Sequence, residues 1–147
     1  MVSIQNLEFE LQDLLKEKKY SEIISLITTK TNENERNAGL FVLLGISRIS
    51  LDKKNKDQIE LALNDFKKGY LKEKTSENSL NALVNFVLAS AILSDFENTN
   101  VDFDEIKKLY EETPKSFQNK RPINIAMTAI YSRLSDHEQM LFHLEKI

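Results

Sequence analysis

Apolar residues recur every three or four positions along nearly the whole of this 147-residue chain. The pattern is clear at Leu7, Leu11 and Leu14, and it is equally clear near the other end at Ile123 and Met127. This spacing is the period of one face of an α-helix, whereas a half-buried strand alternates at every second residue. The chain has only three glycines and two prolines, too few for the many turns of a sandwich or barrel. The sequence therefore predicts an all-α fold.

Polar residues three apart mark where several helices begin, because the side chain of the first can accept a hydrogen bond from the backbone of the third after it. Such pairs are Asn32 with Glu35, Asn55 with Gln58, Asp102 with Glu105, and Ser135 with Glu138. Ser76 or Thr75 is expected to cap a further helix, and Pro122 suits a first helical turn. These boundaries predict eight helices in four pairs, which form one domain. The pairs cover roughly residues 4–33, 34–74, 76–115 and 119–147.

The second helices of the four pairs can be superposed on one another. The residues that share one position are Ile23, Ala62, Ile106 and Met140, and those four residues later are Ile27, Phe66, Tyr110 and Leu144. Successive helices in this series are 39, 44 and 34 residues apart, so only the last interval equals the 34-residue repeat and the other two require insertions in the polar loops. A fixed period of this size is typical of helical-hairpin repeats.

The second and fourth pairs resemble tetratricopeptide (TPR) repeats. The positions that carry the resemblance are Leu44, Gly45, Ala62 and Phe66 in the second pair, and Tyr131, Met140 and Leu144 in the fourth. The resemblance implies an α-α superhelix, or solenoid, of about four antiparallel helical hairpins. Arg48 departs from the pattern, which prefers tyrosine there, and no proline closes the second pair. An irregular helical bundle is the alternative.

Gly45 lies inside a strongly apolar helical run, where a glycine costs about 1 kcal/mol relative to alanine. Packing must offset that cost. We expect Gly45 to lie where two antiparallel helices cross so closely that a methyl group would push them apart.

The sequence offers no recognisable set of catalytic or metal-binding residues. Cysteine is absent from the sequence. The three glycines, at positions 39, 45 and 69, match neither of the glycine-rich phosphate-binding motifs, G-x-G-x-x-G and G-x-x-x-x-G-K-[ST]. His137 and His143 are six residues apart, which excludes the i, i+4 pair of a helical zinc site. We expect one near a turn and the other at the surface. The prediction is a protein that is not an enzyme and has no metal or cofactor.

Charge and hydropathy exclude two further classes of partner. The net charge is −3 and the isoelectric point is near 5.5, so binding to nucleic acid is not predicted. The N-terminus lacks the basic start and apolar core of a signal peptide. The most apolar stretch, residues 80–93, is too short to span a bilayer. We therefore expect a soluble cytoplasmic protein that has no membrane association.

By its resemblance to TPR repeats, the chain is expected to be a scaffold or adaptor that binds a peptide or partner helix in a concave groove lined by first helices. Asn81 and Asn85 could pair with the backbone of a peptide, and Arg48 and Arg133 with a carboxylate. Each of the four could instead be solvated or hydrogen-bonded within the domain.

Two other roles remain open at this stage. The chain could be the N-terminal helical-repeat region of a larger enzyme, for instance a transferase, or a chaperone-like holder of partner subunits. No polar helix covers the apolar face of the last predicted helix, as solenoids normally require. That face is expected to meet more chain, a partner or a second copy, which makes a homodimer through the C-terminal helix one expectation.

Overall fold

The structure is a computed structural model, and it describes residues 4–97 and 99–147. Over these residues it contains helices and no strand, which confirms the all-α prediction. The helices are α1 (Ile4–Lys16), α2 (Tyr20–Lys30), α3 (Ala38–Leu51), α4 (Lys56–Lys72), α5 (Glu77–Ser94), α6 (Phe103–Glu112), α7 (Lys115–Gln118), α8 (Arg121–Arg133) and α9 (His137–Leu144). A 3₁₀ turn, Glu33–Glu35, precedes α3.

Most of the predicted helix starts are confirmed. The side chains of Asn55, Ser76 and Asp102 accept hydrogen bonds from the first turns of α4, α5 and α6. Pro122 lies in the first turn of α8. The three side-chain caps satisfy backbone N–H groups that the helices themselves leave unpaired.

Two predicted starts differ from the structure. Asn32 and Glu35 do form a capping box, but it opens the 3₁₀ turn, and Asn37 caps α3. The predicted pair of Ser135 and Glu138 is wrong. Ser135 has a positive φ of 55°, and Asp136 next to it accepts the hydrogen bond from the backbone of Gln139. The left-handed residue shifts the start of α9 by one position.

The helices pack mainly against their neighbours along the chain. From α1 to α5 each helix contacts the next, α3 also contacts α5, α5 contacts α8, and α8 contacts α9. The core follows the same order in two clusters. A smaller one joins α1, α2 and α3 around Leu11, Ile27 and Leu44, and a larger one runs from α4 to α8 around Phe66 and Met127. Because α3 contributes to both clusters, it joins the two halves of the core.

Gly45 lies at a close approach between α3 and α4, as the sequence predicts. A Cβ atom added there would lie 2.5 Å from Cε1 and 2.7 Å from Cζ of Phe66, whose ring is fully buried. Those distances are shorter than any normal contact between carbon atoms. The ring of Phe66 therefore occupies the space that a side chain at position 45 would need.

The other residues that carry the TPR resemblance are mostly in the core. Leu44, Ala62, Phe66 and Tyr131 are buried, and Met140 is half-buried against the larger cluster. Leu144 is 45% exposed, whereas His143 beside it is buried. The side chain that α9 directs into the core is thus one position earlier than the repeat pattern indicates. None of the described helices is both long enough and apolar enough to span a bilayer.

Candidate functional site

Three helices that are the first members of their pairs form a groove of about 230 Å³. Its wall from α1 carries Glu8 and Leu15, α3 contributes Gly39 and Leu43, and α5 contributes Asn78. Leu11, Gln12 and Leu40 complete the lining. We call this surface the α1–α3–α5 groove. Of these helices, α3 packs directly against α5, and α2 packs against both α1 and α3.

Local hydrogen bonds hold one side of the groove in place. Asn37 accepts a hydrogen bond from the backbone of Leu40 at 2.9 Å and donates one to Oε1 of Glu8 at 3.0 Å. One amide thus caps α3 and anchors a carboxylate of α1. Gly39 has no side chain that would occupy the groove. A Cβ added there would be in ordinary contact with Nδ2 of Asn78, at 3.4 Å. A longer side chain at Gly39 must extend into the groove.

Asn78, Asn81 and Asn85 lie on one face of α5, since residues three and four apart share a helical face. Asn81 is exposed and Asn85 is half-buried. Nδ2 of Asn85 donates to the backbone oxygen of Asn81 at 2.8 Å. Within the described residues, the amide of Asn81 and the Oδ1 atom of Asn85 have no partner. Of these three asparagines only Asn78 lines the α1–α3–α5 groove, and the two that the sequence singles out lie further along the same face of α5.

The two arginines that the sequence singles out lie elsewhere, and each makes an ion pair within the chain. Arg133 donates from Nε and Nη2 to the two carboxylate oxygens of Asp95, at 3.1 and 3.0 Å. Arg48 donates from Nε to Oδ2 of Asp65 at 2.8 Å. Both side chains of the Arg48–Asp65 pair are largely buried. Burial raises the pKa of Asp65 above its usual value, and the neighbouring charge of Arg48 opposes that rise.

A buried polar cluster joins α8 and α9, and sequence reasoning missed it. Asn124 donates to the backbone oxygens of Gln118 and Lys120, so its Oδ1 atom is the acceptor for Nδ1 of His143, at 2.8 Å. His143 must carry its proton on Nδ1. Its ring stacks on Tyr131 with centroids 5.5 Å apart. Burial lowers the pKa of His143 from 6.5 to about 4.

His137 begins α9 directly after a turn and is exposed, as expected for one of the two histidines, whereas the expectation that the other lies at the surface is wrong, because His143 is buried. One sequence signal could have identified it. Asn124 is a polar residue inside the apolar stripe of α8, and a buried amide requires a partner. Within residues 4–97 and 99–147, no group of three or more histidine, aspartate or glutamate side chains is arranged to hold a metal ion.

The last helix keeps much of its apolar surface exposed. Leu141, Phe142 and Leu144 are 56%, 46% and 45% exposed, and Ile147 just beyond the helix is 45% exposed. The amino group of Lys146 lies 4.3 Å from the centre of the Phe142 ring, which is a cation–π contact.

Comparison with protein-family models, with curated proteins and with solved structures finds no match to this chain.

Proposed function

We propose that this protein is a protein–protein interaction scaffold that binds a peptide or a partner helix in the α1–α3–α5 groove and performs no catalysis. In this proposal the four helix pairs form a TPR-like superhelix whose first helices line the concave side. The observation that carries the proposal is that α1, α3 and α5 contribute side chains to a common groove.

The chemistry of the groove suits a peptide. Leucine side chains supply apolar contact, and the amides of Gln12 and Asn78 each offer a donor and an acceptor that match a peptide backbone. Among the described residues that line the groove, Glu8 is the only one with a charged side chain, in a chain of which 29% is charged. Depletion of charge is a property of the central part of protein–protein interfaces.

Filling the groove at Gly39 is expected to weaken partner capture at least tenfold. The Gly39→Gln variant places a side chain in the groove without disturbing the core, because a Cβ at this position makes only ordinary contacts. The measurement is photo-crosslinking from a benzoylphenylalanine at Gln12, followed by mass spectrometry of the adduct. The Asn81→Ala/Asn85→Ala variant tests in the same assay whether the partner also contacts the two asparagines that follow Asn78 on the same face of α5.

Two controls make this result specific. Gly39→Ala adds a single methyl group and should leave the crosslink intact. A crosslinker at Asn64, an exposed residue of α4 that is not part of the groove, should give no adduct with the same partner. If the adduct formed equally with Gly39→Gln, or equally from Asn64, the groove would not be the binding surface.

We further propose self-association through the exposed apolar face of α9. Four large apolar side chains at 45% exposure or more lie in one short segment, and contiguous exposed apolar surface often marks a protein–protein interaction site. Leu141→Glu/Leu144→Glu is expected to convert a dimer into a monomer, as measured by light scattering at rising concentration. A monomeric wild-type protein at high concentration would contradict this part of the proposal.

A further inference from the structure

A cavity of about 480 Å³ lies apart from the α1–α3–α5 groove. It is bounded by the first half of α2, the end of α3 and the start of α4. Ile24 and Leu51 supply apolar walls, and Ser21, Ser25 and Gln58 supply polar ones. Its volume lies within the range of small-molecule sites, roughly 300–1,000 Å³.

Arg48 also lines this cavity, and its guanidinium group is only partly used. Nε of Arg48 donates to Asp65, whereas Nη1 and Nη2 have no partner within the described residues. Asp65, which is itself largely buried, fixes the guanidinium group from the opposite side. The free edge of an arginine presents two parallel N–H donors whose spacing matches the two oxygens of a carboxylate.

Further donors surround the same cavity. The hydroxyl groups of Ser21 and Ser25 lie one helical turn apart on α2, and neither they nor the side-chain amide of Gln58 has a partner among the described residues. The one carboxylate in the lining is that of Asp52, which is exposed and accepts a hydrogen bond from the backbone of Lys54.

We propose that this cavity binds a carboxylate, held by Nη1 and Nη2 of Arg48 and by the hydroxyl groups of Ser21 and Ser25. The carboxylate belongs either to a free organic acid or to a peptide. The site is separate from the α1–α3–α5 groove, so its success or failure does not decide the proposed function.

Side-chain NMR of the full chain tests the proposal directly. The Nε–Hε resonance of Arg48 is followed while acetate, an N-acetylated dipeptide acid or the corresponding dipeptide amide is added at constant ionic strength. We expect saturable shifts with acetate and the dipeptide acid, and none with the amide. Binding of the dipeptide acid at least tenfold tighter than acetate identifies a peptide source, and equal binding identifies a free acid.

Two variants separate binding from folding. Ser25→Leu fills the cavity and leaves the Arg48–Asp65 pair intact, so the affinity should fall at least tenfold, whereas Thr29→Leu, one turn further along α2, should leave it unchanged. Arg48→Gln/Asp65→Asn replaces both charges together and should abolish binding without stranding a buried charge; since this variant lacks the Arg48 resonance, binding is followed by the backbone amide resonances of Ser21 and Ser25. An unsaturable response, or equal affinity in the two leucine variants, would overturn the proposal.

Discussion

Replacement of Gly45 by alanine is expected to lower the free energy of unfolding by about 1–3 kcal/mol, which is the usual cost of overpacking a core. This direction is opposite to helix propensity, since alanine in a helix interior is about 1 kcal/mol more favourable than glycine. The added methyl group would lie 2.5 Å from the buried ring of Phe66, so the ring or the whole of α4 must move. Urea denaturation followed by circular dichroism measures the change.

The matched control is Gly39→Ala in the same helix. At Gly39 the added Cβ has its nearest neighbour 3.4 Å away, so only the propensity gain remains and stability should stay equal or rise. A double-mutant cycle with Phe66→Leu should give a combined loss smaller than the sum of the two single losses, because the smaller side chain relieves the clash. A Gly45→Ala variant as stable as wild type would contradict the close contact between α3 and α4.

Acidification is expected to destabilise the fold by about 3 kcal/mol through His143 alone, because burial lowers the pKa of His143 from 6.5 to about 4. Between pH 6.5 and about 4 the unfolded chain binds a proton at this histidine and the folded chain does not. The contribution of His143 is therefore fully present above pH 6.5 and is lost as the pH falls toward 4. Denaturation curves recorded across this range give the slope.

Comparison of the two histidines of α9 isolates this effect from the carboxylates. His143→Leu should flatten the pH dependence between 6.5 and 4, although it costs stability at neutral pH because Oδ1 of Asn124 loses its partner. His137→Gln removes an exposed histidine and should retain the wild-type slope. Asp65 acts in the opposite direction, since its raised pKa favours folding on protonation, and all of these proteins share it. Equal slopes in the two variants would show that His143 does not titrate as described.

The features that the sequence predicts well are those that depend on local chemistry. Helical class follows from apolar spacing, and the caps at Asn55, Ser76 and Asp102 follow from side chains that reach their own backbone. Gly45 was informative because a glycine inside an apolar helix requires a packing reason. These inferences need no knowledge of how distant segments meet.

The features that the sequence predicts poorly depend on which segments meet. Arg48 is separated by 17 residues from Asp65, and Arg133 by 38 residues from Asp95, so neither ion pair is visible in the local pattern. His143 lies in the core and Leu144 does not, because the imidazole of His143 is hydrogen-bonded to Asn124, which is 19 residues earlier in the chain. The α1–α3–α5 groove likewise depends on three separate helices, and none of the residues that line it was among the partner-binding residues predicted from the sequence.

The order in which the helices pack has a consequence for how the chain folds. Every principal contact joins elements at most three apart along the chain, so no pair of distant ends must find each other first. The entropy lost in closing loops is then small at each step, and proteins dominated by such local contacts fold in microseconds to milliseconds. Because α3 contributes to both clusters, it is the element that couples the two halves of the core as the chain folds.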